Sequence, residues 1–432
     1  DVPVLFHDIF TNGIQYVRLA FDVKDLKEYA PYLSLLAELI SAVDTERYDK
    51  LELGNEIFLH SGGISTDVGV YADRHSDDYR MFWELNGKVL YSEIGEVLKL
   101  LMEILTTSKV GDEKRLREVI GEVRSTKQSA LQASGHQTAV LRAMSYQRES
   151  SYINEHIRGI AYYDFLCDLE EHFEERKDSL ISILKALMKK VFVRERLLLD
   201  LTSDEEGYCA IEEQIDVLQK GLPKQVEERL PEPFWKLQPQ QNNEGFKTAG
   251  KVQYVARAGN FVKKGIPYKG IYKVVRTILG YGYLWNEVRV KGGAYGVMCA
   301  FSNDGNGYMV SYRDPNLVET NDVYEGVPEY LLHFEADERD MMKYIIGTIS
   351  DLDTPLTPRA KGRRSASAYL TGVTFVELQK ERDDILSADT EKIRSVAETV
   401  KAILADGYIC ALGSEGKIEQ AEYLFDTIRV LS

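Results

Sequence analysis

Residues 53–67, LGNEIFLHSGGISTD, return in altered form at 284–298 as LWNEVRVKGGAYGVM. Both stretches open Leu-x-Asn-Glu, continue with a β-branched residue and reach a Gly-Gly pair within a few positions. Only the later one carries Arg289 and Tyr295; Phe58 stands in the place of Arg289 and Ser65 in that of Tyr295. A chain that repeats itself at long range is built from copies of one unit, and that limits its fold more tightly than composition does. Gln-Tyr-Val recurs at 15–17 and 253–255, in NGIQYVRLAFDV and GKVQYVARAGNF, both read as strands. GGISTDVGVYADRHSDDYRMFWEL and GGAYGVMCAFSNDGNGYMVSYRD each read as two strands around a polar turn. GDEKRLREVIGEV and ADERDMMKYIIGTI are matching helix starts, with acidic residues in the first turn where the helix dipole favours them. RLLLDLTSDEE and YICALGSEGK read as closing strands. The offsets, about 225 to about 240 residues, exceed any solenoid repeat and mark a duplicated domain.

Each copy reads strand, helix, strands, long helices, strand. That order predicts an α+β fold of two duplicated domains, each a mainly antiparallel sheet with helices packed on one face. A length of 432 residues agrees, since one core rarely organises more than about 250–300 residues. The Pro-, Gln- and Asn-rich stretch PEPFWKLQPQQNNEGFK predicts the join. The domains are therefore expected at 1–225 and 247–432, with a linker at 226–246. Between about 93 and 195 a helical region is strongly amphipathic, as in IGEVLKLLMEIL, and core packing accounts for it.

A formal net charge of −16 argues against nucleic acid and favours basic ligands. No apolar run approaches the ~18–20 residues needed to cross a bilayer, so no membrane partner is expected. Cys167, Cys209, Cys299 and Cys410 lie far apart and form no Cys-x-x-Cys pair, which reads as buried thiols in a reducing compartment. The chain starts at Asp1 rather than Met, as a processed protein or a fragment would.

LWNEVRVKGGAYG, set after a helix and before a strand pair within a duplicated α+β domain, resembles the C-terminal half of the insulinase-like (pitrilysin) zinc metallopeptidases, most closely their presequence-protease branch. The resemblance covers essentially the whole chain, as the third and fourth of four related domains. It implies two halves that close around an unfolded peptide, with zinc held in the N-terminal half by an inverted His-x-x-Glu-His motif and a further Glu. No two of this chain's seven histidines stand four apart. The nearest approach is HFEER, where His172 and Glu175 are followed by Arg176, which cannot ligate zinc; His172 reads as a surface helix residue. In PYLSLLAELISAVDTERYD the family's zinc helix would put Leu35, Glu38 and Leu39 at the His, Glu and His positions, so ligands have become core and Glu38 a solvated leftover.

The resemblance implies that Arg289 and Tyr295 reach the reacting peptide as transition-state donors. It implies too that Gly292 and Gly293 bring backbone close to that peptide. Asn286 and Glu287 recur as Asn55 and Glu56 and are expected to serve the shared fold. The cluster PRAKGRRSA, at 358–366, reads as a solvated helix face. GYGYLW lacks the frame of a nucleotide-binding loop. The expected function is that of the C-terminal half of a zinc metalloendopeptidase: chamber wall, exclusion by size and donors, inactive alone, with no cofactor in this chain. Its partners are then unfolded peptides and the zinc-binding half, joined covalently or in trans. A non-catalytic structural or partner subunit of the same superfamily is the alternative.

Overall fold

The computed structural model describes residues 2–239 and 241–431 and contains two sheets. The first holds β1 (Val4–Asp8), β2 (Ile14–Asp22), β3 (Ile64–Ala72), β4 (Tyr79–Leu90) and β5 (Leu197–Ser203), in the order β1-β5-β2-β4-β3. The second holds β6 (Glu244–Thr248), β7 (Tyr254–Asn260), β8 (Gly296–Phe301), β9 (Asn306–Tyr312), β10 (Ile409–Ser414) and β11 (Thr427–Val430), in the order β11-β6-β10-β7-β9-β8. With β11 set aside, the two orders are the same when strands are numbered within each copy. In both sheets the first strand runs parallel to the last, and the remaining pairs are antiparallel. The duplication read from the sequence is therefore a duplication of topology.

The repeat pairs β2 with β7, β3 and β4 with β8 and β9, and β5 with β10, as expected. Sequence reading missed β1 and β6, whose VLFHD and EGFKT are too short to show an alternating pattern. Both are held by parallel pairing to a strand far along the chain, which no local signal announces.

Helices α1 (Ala30–Ile40) and α2 (Lys50–His60) follow β2, and α3 (Ile94–Thr107), α4 (Glu113–Ala133), α5 (Gly135–Ser145), α6 (Glu149–Arg158), α7 (Ile160–Glu171) and α8 (Phe173–Val191) fill the amphipathic region. The two acidic helix starts cap as expected: Asp112 accepts the Arg115 backbone N–H and Asp337 that of Asp340. Leu98, Leu101, Leu184 and Leu187 join Leu19, Phe21 and Trp83 in one core beneath the first sheet. A second core lies between the second sheet and the helix Ile271–Tyr281, the counterpart of α1.

The outer faces are covered by exchange. Helix α5 of the first copy lies on the second sheet, with Val140, Ala143 and Tyr146 against Phe246, Ala256 and Val310. The helix Pro358–Thr371 of the second copy lies on the first sheet, turning Gly362, Ala366 and Leu370 inward at four-residue spacing. At Gly362 the approach is so close that a Cβ would stand 1.8 Å from Thr202 Oγ1. The cations Arg359, Lys361, Arg363 and Arg364 point outward from this helix, the solvated face read from the sequence.

Among the described residues none between Gly221 and Glu244 is in a helix or strand. The segment from Pro231 to Gln238 is a strap rather than a free linker. Tyr29 donates to Pro231 O, Tyr32 accepts from Trp235 N–H, and His156 Nε2 accepts from Gln238 N–H at 3.1 Å. Glu244–Phe246, the last three residues of the expected linker, belong instead to β6. The reading of all four thiols as buried also needs correction: Cys299 and Cys410 are buried, Cys167 is half-buried and Cys209 is exposed. Among the described residues no helix is long and apolar enough to cross a membrane.

Candidate functional site

The helix Ile271–Tyr281 buries Val274, Val275 and Ile278, stops at Gly282, and gives way to a π-helical segment, Trp285–Lys291. Leu284 and Val288 anchor that segment in the second core. Its wide turns close with the Gly292 N–H on Glu287 O at 2.9 Å, and the chain then reverses with Gly293 N–H on Arg289 O and Ala294 N–H on Val288 O. The reversal needs both glycines. Gly293 has φ +82°, in the left-handed region that L side chains avoid, and a Cβ on Gly292 would stand 2.6 Å from Val288 O. Asn316 then fixes the turn by donating to Gly292 O at 2.7 Å.

This reversal brings the four residues named from the sequence, Arg289, Gly292, Gly293 and Tyr295, into one loop. Arg289 is half-exposed and Tyr295 is 66% exposed, so neither belongs to the core. The Arg289 guanidinium carbon lies 4.0 Å from the ring centroid of Trp285 and 5.9 Å from that of Tyr295. Tyr295 is held edge-on against Tyr312 at 5.6 Å, and its backbone N–H bonds Tyr312 O at 3.1 Å. Among the described residues no carboxylate lies within ion-pair distance of Arg289; Glu287 pairs instead with Lys291 at 2.7 Å. Aromatic faces hold a cation without neutralising it. The result is a full positive charge on an aromatic shelf, ready to donate to an oxyanion or carbonyl.

Trp285, Tyr312 and His136 were not singled out in the sequence. Trp285 had a usable signal, four residues before Arg289 on one helical face. His136 did not, because it comes from the first copy: it starts α5 and sets its ring 4.7 Å from that of Tyr312. Burial lowers its pKa below the ordinary histidine value, favouring the neutral ring.

The first copy shows what the shared fold alone requires. There α2 is a regular helix with a capping box between Asp49 and Glu52, and Phe58 and Ser65 are exposed where the second copy presents Arg289 and Tyr295. Glu56 lies 3.7 Å from His60, one turn on, just as Glu287 pairs with Lys291, so the repeated Glu serves the helix in both copies. On α1, Leu35 and Leu39 are fully buried in the first core and Glu38 alone on that helix is exposed. Two leucines in a packed core offer no ligand atoms, so these residues do not fit a zinc ion. His172 is half-buried at the junction of α7 and α8, its Nδ1 3.3 Å from Asp168.

The family described as associated with peptidase M16, subfamily C, matches residues 1–169, and the one described as PreP C-terminal domain matches residues 243–415. Protein HypA of Clostridium perfringens is 38% identical over 430 residues, covering 99% of this chain and 44% of its own length. Presequence protease 1, chloroplastic/mitochondrial, of Arabidopsis thaliana is 29% identical, covering 97% of this chain and 39% of its own. This chain thus spans less than half the length of these relatives. The crystal structure of pitrilysin matches with a TM-score of 0.62 at 13% identity, over 99% of this chain and 44% of that one, and shows the same fold. With the duplicated topology and the LWNEVRVKGGAYG loop, these matches establish that the chain belongs to the insulinase-like (pitrilysin) peptidase family, presequence-protease branch, as its C-terminal half.

Proposed function

We propose that this chain serves a zinc metalloendopeptidase as the half that closes over an unfolded peptide, supplying chamber wall and the donors Arg289 and Tyr295, and is inactive by itself. The reading rests above all on Arg289: a permanent cation on the Trp285 and Tyr295 rings, at the surface, with no carboxylate partner among the described residues. When a peptide bond is hydrolysed, negative charge grows on the carbonyl oxygen. A donor that binds this charge more strongly than the neutral carbonyl lowers the barrier rather than merely tightening binding. Arg289 keeps its charge at any working pH, and the Tyr295 hydroxyl offers a second, neutral donor. Gly292 and Gly293 hold both on one short reversal and leave room for a peptide backbone. The zinc implied by the family belongs in the N-terminal half, because the residues at the equivalent positions here are Leu35 and Leu39.

The test is reconstitution. This chain alone, and mixed with a separately expressed half bearing the His-x-x-Glu-His motif, is assayed on a quenched peptide. Activity is expected only in the mixture, and Arg289→Ala is expected to lower kcat about 10²-fold, as for other lost oxyanion donors. Full activity of both Arg289→Ala and Tyr295→Phe in a stable complex would overturn the assignment.

A non-catalytic partner subunit is the second reading, favoured by Phe58 and Leu59 on α2, 82% and 71% exposed, which call for a covering protein surface and carry no chemistry. A complex that forms and cleaves equally well without Arg289 and Tyr295 would select it.

A further inference from the structure

Strand β8 is an edge of the second sheet, and its register shows what that edge offers. The Ser302 N–H bonds Asn306 O at 2.7 Å, so the even-numbered residues of β8 pair with β9. The backbone N–H and C=O groups of Val297, Cys299 and Phe301 consequently point off the open side. The equivalent edge of the first sheet, β3, is stopped: Arg158, at the end of α6, donates to Val68 O on its open side. An edge left open in one copy and blocked in the other is a difference in what the two copies can accept.

Beside β8 runs a groove of about 700 Å³, walled by Leu131 and Val140 of α4 and α5 and floored by Met298 and Val310. Lys127 and Arg158 stand on its rim, in a protein whose formal net charge is −16. His136 also lines it, and through Tyr312 the groove is continuous with Tyr295. A second hollow, about 440 Å³, borders the other end of the strand at Ala300 and Phe301.

Building on the proposed function, we infer that β8 takes an extended segment of the peptide as an added strand, whose alternate apolar side chains enter the groove and whose acidic residue or C-terminal carboxylate meets Lys127 and Arg158. Main-chain hydrogen bonds to an open edge bind without regard to sequence, while side chains on alternate sides are sorted by the pockets they meet. The peptide class is thus extended, apolar at every second position and acidic at one end. Strand addition also fixes the peptide's direction relative to Tyr295, which begins β8's loop.

The test uses this chain alone and a fluorescein-labelled ten-residue peptide alternating Val and Ser and ending in Glu. Binding is read by anisotropy. A twin peptide, N-methylated at alternate residues, keeps the side chains but loses the strand-forming N–H groups, and is expected to bind at least tenfold more weakly. Backbone hydrogen exchange at residues 297–301 is expected to slow when the unmodified peptide binds, a readout that needs no folded variant. Met298→Asp, at the groove floor, is expected to weaken binding at least tenfold, and Lys127→Glu to weaken it more for the Glu-ended peptide than for its amidated form. Absence of binding, equal binding of the N-methylated twin, or protection on another strand with none at 297–301 would overturn the inference. None of these results depends on a zinc-bearing half. Failure of reconstitution with retained, N-methyl-sensitive binding would reject the proposed function alone, and the reverse pattern would reject strand addition alone.

Discussion

Arg142, on α5, grips Glu244, the first residue of β6, with two nitrogens, Nη2 meeting Oε1 at 2.9 Å. One residue belongs to the first copy of the fold and the other to the second. Both are buried, and the Tyr146 hydroxyl also donates to Glu244, at 2.9 Å. Arg142 Nη1 reaches Glu155 Oε1 at 3.3 Å, so a single guanidinium serves two buried carboxylates. This network joins the two copies at the place where α5 crosses to the second sheet.

Removing its cation strands both carboxylates out of water. Arg142→Ala is expected to destabilise the chain by about 3–5 kcal/mol, the cost of breaking a buried pair from one side. Urea unfolding monitored by circular dichroism measures this, and a loss below about 1 kcal/mol would show that water or a rearranged helix replaces the arginine.

His156 makes the strap sensitive to acid. Its Nδ1–H donates to Tyr152 O at 2.9 Å and its Nε2 accepts from Gln238 N–H at 3.1 Å, a pattern that only one neutral tautomer satisfies. Burial holds its pKa down at about 4, against an ordinary 6.5. A depressed value means that the neutral form is the folded one. The stability it contributes is present above pH 6.5 and is lost as pH falls through 4. Glu155 acts oppositely: burial, partly offset by Arg142, pushes it up to about 7, so its contribution fades as pH rises from about 4.5 to 7. Comparison of the wild type with His156→Gln separates the two, because Glu155 is common to both. The stability advantage of the wild type at pH 7 is expected to shrink by on the order of 3 kcal/mol by pH 4. A difference that stays constant across this range would mean that His156 does not titrate in the strap.

Gly293→Ala is expected to cost about 1 kcal/mol, because an alanine at φ +82° is strained with no neighbour to blame: the nearest atom to its Cβ, on Pro315, is 3.6 Å away. Asn, which tolerates this conformation better, should recover part of the loss. Thermal melts of the two variants decide it, and equal losses would point to crowding rather than backbone conformation.

The repeat in Gln-Tyr-Val and in the Gly-Gly stretches made the two sheets legible, because a strand that packs on one face must alternate and a duplicated strand alternates twice. Arg289 and Tyr295 were legible for a different reason: against Phe58 and Ser65 they are the polar departures from a shared template. What stayed hidden lies across the copies. Nothing in the sequence around Gly362 says that its helix will press on Thr202, or around His136 that its ring will meet Tyr312, since these are meetings between segments that only tertiary packing brings together. The strands β1 and β6 fell to the same limit, being defined by partners roughly 165–195 residues away rather than by their own pattern.

The crossing of α5 to one sheet and of the Pro358–Thr371 helix to the other makes the molecule a handshake rather than a chain of two beads. Cut at the strap, neither piece could fold into a finished particle, for each would leave bare the sheet face that the other is meant to cover. The strap is therefore dispensable as a tether while the grip is not. Two fragments severed there are expected to travel through purification together, and a gene broken at that point would still encode one body.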